Sequence, residues 1–457
     1  MNVPEISSSV SVPRAPLLAT RKIVHISMLI FAFLLPYLTW RQAVGCALLA
    51  LLFNLVILPR LQVDLRKSPA HAPGDGVWTG IVIYPLSVLA LIILYRGALH
   101  VVAAAWAIMA LGDGMAGVVG RGLGGPALPW NRDKTWSGFL GFLVAGTAGA
   151  YVLTRWVAPA IAPDAALSVG AAAALVGALV ESAPIRLDDN ATVPLVAGVF
   201  MYCAFLVERS ALDSNLPYLG RRVILAAAIN LTLAVLAFGL KMVTRSGAIA
   251  GFLLGVAVYL GYGYKSFLLM LAFFLLGSVT TRLGYARKAA RGIAEKRGGA
   301  RTWREALANS LAGAFFSILV ITTHHEGAFL IALIAAFGEA AGDTVSSEIG
   351  QWISTRAYLI TNFKPVPAGE NGGVSMGGSV AGLLAASSIV ALGYGLGLCG
   401  RGGAAIALAS AVAGNLVDSI LGATLERRGL VTNGIVNFAC TSFAGALALG
   451  MALHIGY

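Results

Sequence analysis

The chain has 457 residues, of which 58% are hydrophobic and 11% are charged, and its mean hydropathy is +0.83. So few charged residues cannot supply the polar surface that a soluble globule needs. A soluble enzyme is therefore excluded, and an integral membrane protein is predicted. The net charge of +12 is explained by a basic cytoplasmic rim facing anionic lipid, and we therefore expect no nucleic acid partner.

Fifteen apolar runs follow one another along the chain, each close to the ~20 residues that a helix needs to cross a ~30 Å hydrocarbon core. The sequence therefore predicts an all-α integral membrane protein with about fifteen transmembrane helices. The runs lie near residues 23–40, 42–58, 77–94, 98–120, 137–158, 165–182, 191–207, 222–240, 246–262, 265–281, 306–322, 327–347, 375–395, 402–422 and 435–455. Residues 1–20 are polar and show no cleavable signal peptide, so the first run is expected to direct its own insertion.

The lysines and arginines indicate the orientation, because cytoplasmic loops are enriched in both. With the N-terminus in the cytoplasm, fifteen crossings put the C-terminus outside and the basic loops on the cytoplasmic face. We expect this arrangement in a bacterial inner membrane. The basic residues concerned are Arg21, Lys22, Arg60, Arg66, Lys67, Arg121, Arg132, Lys134, Arg186, Lys241, Arg245, those of the loop 282–304, Lys364, Arg427 and Arg428.

The polar motifs occur twice in the same order. The first half contains LGDGMAGVVGR, a Gly/Pro loop, KTWSGFLGF and ESAPIRLDDN. The second contains AGDTVSSEIGQ, a Pro/Gly loop, GGVSMGGSVAG, GNLVDSILGAT and VTNGIVN. This order predicts two pseudo-repeated modules, residues 1–207 and 222–457, joined by the polar segment 208–221.

Carboxylates lie in or beside the apolar runs, where a charge costs a few kcal/mol unless something compensates it. Asp113 and Asp343 each precede a glycine-rich loop, and Glu339 shares a helical face with Asp343. Both loops lead into a helix N-terminus, which binds anions. Because Mg²⁺ prefers one or two carboxylates together with phosphate oxygens, the combination indicates phosphoryl transfer at the cytoplasmic ends of the helices.

Several of these motifs resemble known families. In the first half RKIVH, LGDGMAGVVGR, KTWSG and ESAPIRLDDNATVPL resemble the phytol and dolichol (polyprenol) kinases. In the second, TRSGAIAGFLLG, RTWREALANS, GDTVSSEIG, GENGGVS, NLVDSILGAT and VTNGIVNF resemble the phytyl-phosphate kinases. The resemblance implies that the first module transfers the γ-phosphate of CTP to a long isoprenoid alcohol, with Mg²⁺ as cofactor. The second module would convert the monophosphate to the diphosphate.

The resemblance also implies residue roles. The catalytic set would be Asp113, Lys134, Glu181, Asp189, Asp343 and Asp418. Nucleotide and phosphate contacts would come from Arg121, Lys134, Thr135, Ser137, Asn309, Lys364, Asn371, Gly372, Gly373 and Ser375. Substrate contacts would come from His25, Asn190, Asn433 and Asn437. The metal ligands would be Asp113, Asp188, Asp343 and Glu348.

Two alternatives remain open at this point. Repeated halves, interrupted helices and intramembrane carboxylates are also typical of secondary transporters, and a membrane cytidylyltransferase would likewise bind CTP and a lipid phosphate. The second half lacks KTWSG and has GGVSMGG instead, so nucleotide contacts there are not copied from the first. The four cysteines, Cys46, Cys203, Cys399 and Cys440, stand singly and are interpreted as small core residues. The oligomeric state is not indicated.

Overall fold

The computed structural model describes residues 23–58, residue 60 and residues 78–457. Within these ranges the prediction of an α-helical integral membrane protein is confirmed, with a small three-stranded sheet in addition. Arg21 and Lys22 of the RKIVH motif lie outside the described residues, as do Arg66 and Lys67 of the first basic loop.

The chain forms two compact units, Met1–Phe205 and Leu206–Tyr457. The described part of the first unit consists of seven apolar helices. They are α1 (Ile23–Tyr37), α2 (Trp40–Ile57), α3 (Trp78–Leu94), α4 (Leu99–Leu123), α5 (Trp136–Val157), α6 (Pro163–Ser182) and α7 (Asp189–Phe205).

The second unit has nine helices. They are α8 (Arg209–Gly239), α9 (Arg245–Tyr262), α10 (Tyr264–Arg282), the short α11 (Tyr285–Ala290), α12 (Trp303–Thr322), α13 (Glu326–Ile353), α14 (Met376–Gly395), α15 (Arg401–Glu426) and α16 (Asn433–Ile455). Between α13 and α14 lie β1 (Arg356–Leu359), β2 (Pro365–Pro367) and β3 (Gly373–Val374), paired antiparallel in the order β2-β1-β3. The segment 208–221, expected to be a joint, forms the first part of α8.

The number of crossings stays a prediction. Among the described residues, 12 helices are long and apolar enough to span a membrane. Three shorter apolar helices, Ile23–Tyr37, Gly80–Leu94 and Asp189–Phe205, lie at three further predicted runs. Every predicted run therefore coincides with a helix, because the length of an apolar segment is visible in the sequence.

Small residues allow the helices of the first unit to pack closely, as expected in lipid. A Cβ atom at Gly149 of α5 would lie 2.6 Å from the Leu111 side chain of α4, and one at Gly177 of α6 would lie 2.9 Å from Ile108. Both glycines therefore hold α5 and α6 against the middle of α4. This part of α4, Ile108–Asp113, is a π-helical turn, a feature that often occurs at functional sites.

The start of α5 is attached to the end of α4. The Thr135 hydroxyl accepts a hydrogen bond from the Gly138 amide at 3.2 Å and so caps α5. A Cβ at Gly138 would lie 3.0 Å from the carbonyl oxygen of Ala116 and 3.4 Å from Cα of Gly120. The two backbones can approach this closely because Gly138 has no side chain.

The second unit repeats this contact between α13 and α14. The Ser375 hydroxyl accepts from the Gly378 amide at 3.2 Å. A Cβ at Gly378 would lie 2.6 Å from the carbonyl oxygen of Ser346 and 3.2 Å from Cα of Gly350. Asp343 precedes Gly350 by the same interval as Asp113 precedes its own contact glycine. This local geometry agrees with the repeated motifs. It indicates that Asp343 has in the second unit the position that Asp113 has in the first.

Candidate functional site

Three helices of the first unit bring three carboxylates together. Asp113 lies at the end of the π-helical turn of α4, Glu181 in the last turn of α6, and Asp189 at the start of α7. One carboxylate oxygen from each lies within 4.8 Å of the other two. The sequence predicted all three as catalytic residues, and the short connection from α6 to α7 explains how two of them meet.

Lys134 completes this group from the loop before α5. Its Nζ forms an ion pair with Oε1 of Glu181. Trp130 Nε1 donates to Oγ of Ser182 at 3.2 Å, and Asn131 Nδ2 donates to the Ser182 carbonyl at 3.1 Å, so the loop is held on the end of α6. Burial by itself lowers the pKa of Lys134, but the nearby carboxylates, Glu181 foremost, raise it above its ordinary value. The lysine is therefore charged when the carboxylates are ionised.

His25 of α1 lies beside the same group. Its Nε2 is 3.6 Å from Oδ2 of Asp113 and 3.3 Å from the Met109 carbonyl oxygen. The edge of its ring packs against Tyr84 with 5.0 Å between ring centroids, and the Tyr84 hydroxyl accepts a 2.7 Å hydrogen bond from Trp106. The histidine, predicted to contact substrate, is thus positioned next to the Asp113 carboxylate by neighbouring aromatic rings.

The other predicted residues of the first unit have structural contacts. Asp188 accepts a 2.9 Å hydrogen bond from the Asn190 amide at the start of α7, and the carboxamide oxygen of Asn190 is buried with no hydrogen-bond partner. Arg121 is exposed and donates to a carbonyl of its own helix. Thr135 caps α5, and the Ser137 hydroxyl donates to the preceding glycine loop. The metal role of Asp188 stays a prediction, and the structure groups Glu181 and Asp189 with Asp113.

The second unit has its own group of potential ligands. Glu339 of α13, Asp418 of α15 and Cys440 of α16 each offer an atom within 4.8 Å of the others. Asp343, one helical turn from Glu339, interacts electrostatically with both Glu339 and Asp418. Asp343 was expected to be a metal ligand; it lies beside this group, while Asp418 belongs to it.

The end of α15 provides a polar entrance to the group. Its last turns, Gly422–Glu426, are π-helical, and Glu426 interacts electrostatically with Asp343 and Asp418. The exposed Asn433, predicted to contact substrate, hydrogen-bonds to Glu426. A cation also lies here, because the Arg301 guanidinium interacts with Asp343 and packs over the ring of Phe273 at 5.1 Å.

The loop between α13 and α14, predicted to bind nucleotide, is anchored beside this entrance. Gly372 has a φ of +72°, and a Cβ there would lie 2.1 Å from the Ala423 amide nitrogen, so only glycine fits. Glu370 forms a 3.3 Å ion pair with Arg427. Of the remaining predicted residues, Lys364 and Asn371 are exposed. Gly373 belongs to β3, and Ser375 caps α14.

Asn309 of α12 and Asn437 of α16 form a buried pair. Asn437 Nδ2 donates to Oδ1 of Asn309 at 3.1 Å, and Asn309 Nδ2 donates to the Glu305 carbonyl at 2.9 Å. Asn437 Oδ1 remains buried with no hydrogen-bond partner. Asn309 therefore joins two helices, and the phosphate contact predicted for it stays a prediction.

Glu348, predicted to bind metal, has a different role. Its Oε2 forms an ion pair with Nζ of Lys288, which also donates to the carbonyls of Thr281 at 2.9 Å and Thr280 at 3.3 Å. Lys288 is fully buried. The pair fastens α11 to the end of α13, and the metal role of Glu348 stays a prediction.

We expect Lys288→Met to destabilise the second unit by about 3–5 kcal/mol, because it leaves Glu348 buried without its partner. The double variant Lys288→Met/Glu348→Gln should recover most of this loss. Thermal unfolding of the purified chain in detergent measures both effects. Lys296→Met is the control. It changes an exposed lysine in the segment 282–304, which also contains Lys288, and should alter stability by less than about 0.5 kcal/mol. Equal losses in the single and double variants would contradict the ion-pair explanation.

Two members of the second group, Glu339 and Cys440, and the neighbouring Arg301 were not among the predicted site residues. Glu339 was noticed as a carboxylate on the face of Asp343, and that spacing was the available signal. Cys440 was interpreted as a core residue, and Arg301 was counted only as cytoplasmic charge. No pattern in the sequence connects Cys440 to Glu339 or Arg301 to Asp343, so these contacts depend on tertiary packing.

Comparison with known proteins gives the family. The family of the integral membrane protein DUF92 matches residues 228–445. Protein VTE6, chloroplastic, of Arabidopsis thaliana is 36% identical over 239 residues, which cover 50% of this chain and 72% of VTE6. The chain belongs to this membrane family. The matched range lies within the second unit, which holds the Glu339, Asp418 and Cys440 group.

Two further proteins that are similar to this chain are named as kinases. Probable phytol kinase 3, chloroplastic, of Glycine max is 31% identical over 191 residues, covering 39% of this chain and 60% of the relative. Farnesol kinase, chloroplastic, of Arabidopsis thaliana is 27% identical over 200 residues, covering 40% and 65%. The chain thus spans less than two thirds of the length of either kinase. No solved structure matches.

Proposed function

We propose that the chain is a membrane kinase that phosphorylates a long isoprenoid alcohol, such as phytol or geranylgeraniol, in two CTP-dependent steps. The first unit would form the monophosphate and the second the diphosphate. The observation that carries the proposal is the group of Asp113, Glu181 and Asp189 with Lys134, at the helix ends beside a glycine-rich loop. Similarity to proteins named phytol kinase and farnesol kinase supports the substrate class.

The first group suits Mg²⁺, since it offers carboxylate oxygens from three helices within 4.8 Å and Mg²⁺ is bound by carboxylates together with phosphate oxygens. When bound, the ion would neutralise negative charge on the transferred phosphate. Asp113, Glu181 and Asp189 would hold it. Lys134, at the beginning of α5, would contact the nucleotide phosphates, with the backbone amides of that helix start beside it.

The reaction needs a proton acceptor, because an alcohol is a weak nucleophile. As the alcohol oxygen forms a bond to the γ-phosphorus of CTP, the bond from that phosphorus to the bridging oxygen breaks and CDP leaves. The alcohol proton would pass to a carboxylate of the group. His25 would fix the orientation of Asp113 during this step.

The second unit has a different requirement. A lipid monophosphate is already a nucleophile, so the unit needs orientation and charge screening more than it needs a base. Arg301, next to Asp343, would supply positive charge. The loop anchored by Gly372 and by the Glu370–Arg427 pair would receive the nucleotide.

The proposed setting is a bacterial inner membrane with the N-terminus and both active sites facing cytoplasmic CTP. The basic residues in and beside the loop 124–135 and the sheet region 356–374, namely Arg121, Arg132, Lys134 and Lys364, support this orientation, because cytoplasmic loops are enriched in lysine and arginine. The C-terminus would then lie outside.

A product assay tests the function. Membranes containing the chain should transfer label from γ-labelled CTP to phytol or geranylgeraniol in the presence of Mg²⁺, giving monophosphate first and diphosphate later. Membranes without the chain are the control. Transfer of label from α-labelled CTP, with release of pyrophosphate, would indicate a cytidylyltransferase. Absence of labelled lipid with every alcohol, monophosphate and nucleotide tried would overturn the kinase proposal and favour transport.

A further inference from the structure

Glu339 occupies an unusual position for a carboxylate. It is the fourteenth of the 28 residues of α13, so it lies at the middle of a membrane helix, and only 1% of it is exposed. Neither of its carboxylate oxygens has a hydrogen-bond partner among the residues that the structure describes. A buried ionised group without a partner costs several kcal/mol, so an ion or a proton must compensate it.

Further potential metal ligands lie close to Glu339. Asp418 Oδ2 is buried and has no hydrogen-bond partner within the described ranges, and the fully buried Cys440 hydrogen-bonds to Asp418. Asn437, one turn before Cys440 on α16, also has a buried oxygen with no partner. The atoms of Glu339, Asp418 and Cys440 lie within 4.8 Å of one another, which is close enough for all three to bind one ion.

The matched geometry of the two units provides an internal comparison. Asp343 corresponds to Asp113, so Glu339 corresponds to Met109, which also lies four residues before its aspartate. The first unit therefore gathers its carboxylates at the helix ends and has an apolar residue at the deeper position. Cation binding at the helix ends of the first unit therefore needs no carboxylate at the position of Met109. The carboxylate of Glu339 at the corresponding position is a feature of the second unit alone.

The donor types indicate which ion would bind. Carboxylates suit Mg²⁺ and Mn²⁺, whereas a thiolate favours softer ions such as Zn²⁺. A set of two carboxylates and one thiol is therefore unlike the all-oxygen set of the first unit. Half-buried Asp343 and Glu426 interact electrostatically with Asp418, and Glu426 lies at the end of α15.

We propose that Glu339, Asp418 and Cys440 form a buried site for a thiophilic divalent cation of the Zn²⁺ type. Ion binding removes the thiol proton, which leaves to solvent. The site is separate from the Mg²⁺ site proposed for the first unit, and it does not depend on kinase activity.

Cd²⁺ is the probe for the thiolate bond, because a metal–thiolate bond gives an ultraviolet charge-transfer band. The purified full chain in detergent, with excess Mg²⁺ and without nucleotide or isoprenoid, should show this band on addition of Cd²⁺. Cys440→Ser should lose it. Cys399→Ser removes one thiol from the same unit and should keep it, which makes it the matched control. A band that survives in Cys440→Ser would overturn the proposal, as would its absence from the unchanged chain.

Glu339→Met places the residue of the first unit at the deeper position and tests the carboxylate. Calorimetric titration with Zn²⁺ should show affinity for this site weakened at least about tenfold. Thermal unfolding separates this effect from misfolding. Without Zn²⁺ the variant should be at least as stable as the unchanged chain, because it lacks a buried uncompensated carboxylate, and added Zn²⁺ should raise the melting temperature of the unchanged chain only. Equal Zn²⁺ affinity of Glu339→Met and the unchanged chain would overturn the proposal, because it would show that a proton and not the ion neutralises Glu339.

Discussion

Asp113→Asn should lower the rate of alcohol phosphorylation by about 10²–10³-fold, comparable to the loss of one preorganised group at a site of developing charge. The substitution keeps the size of the side chain but removes one of three converging carboxylates and the negative partner of His25. Initial rates with γ-labelled CTP and phytol measure the effect. Phosphorylation of supplied phytyl monophosphate should remain, because that step is assigned to the second unit.

Asp164→Asn is the matched control for this experiment. Asp164 is exposed in the first turn of α6, at the opposite end of that helix from Glu181. Its replacement makes the same chemical change in the same unit and should leave both steps unchanged. Full alcohol phosphorylation by Asp113→Asn would exclude the role proposed for the first carboxylate group. Loss of both steps would argue against separate units of activity.

Asp418→Asn should have the opposite effect on the products. Asp418 belongs to the Glu339 and Cys440 group and also interacts with Asp343 and Glu426, so its loss disturbs the whole acidic site of the second unit. We expect diphosphate formation to fall by about 10²-fold or more, while monophosphate accumulates. Time courses that resolve the two lipid phosphates measure both changes in one reaction.

The control for Asp418 is Asp213→Asn. Asp213 is exposed on α8 and pairs only with Arg209 one turn away, an interaction that contributes little to stability. This variant should form both products at normal rates. If Asp418→Asn made diphosphate normally, the second step would have to be assigned elsewhere. If it also lost monophosphate formation, a single shared site would be the better explanation.

Local sequence was sufficient for much of the first site. Asp113, Lys134, Glu181 and Asp189 were predicted together because each lies in a polar motif at the end of an apolar run, and helix ends of one membrane face are brought to one level by the bilayer. The same reasoning did not give the contacts of Asp188 and Glu348. Asp188 is adjacent to Asp189, but its carboxylate accepts from a backbone amide, and no sequence pattern gives side-chain direction at a helix start.

The sequence by itself determined the membrane class and the helix positions, since an apolar run of sufficient length has to be helical in lipid. It also determined the repeated aspartate and glycine spacing at the contacts of Gly138 and Gly378. Only the tertiary structure decided which charges compensate one another. Glu348 is paired with Lys288, while Glu339 has no hydrogen-bond partner and faces Asp418 and Cys440. These partners come from distant segments, and their pairing depends on how the helices rotate and cross.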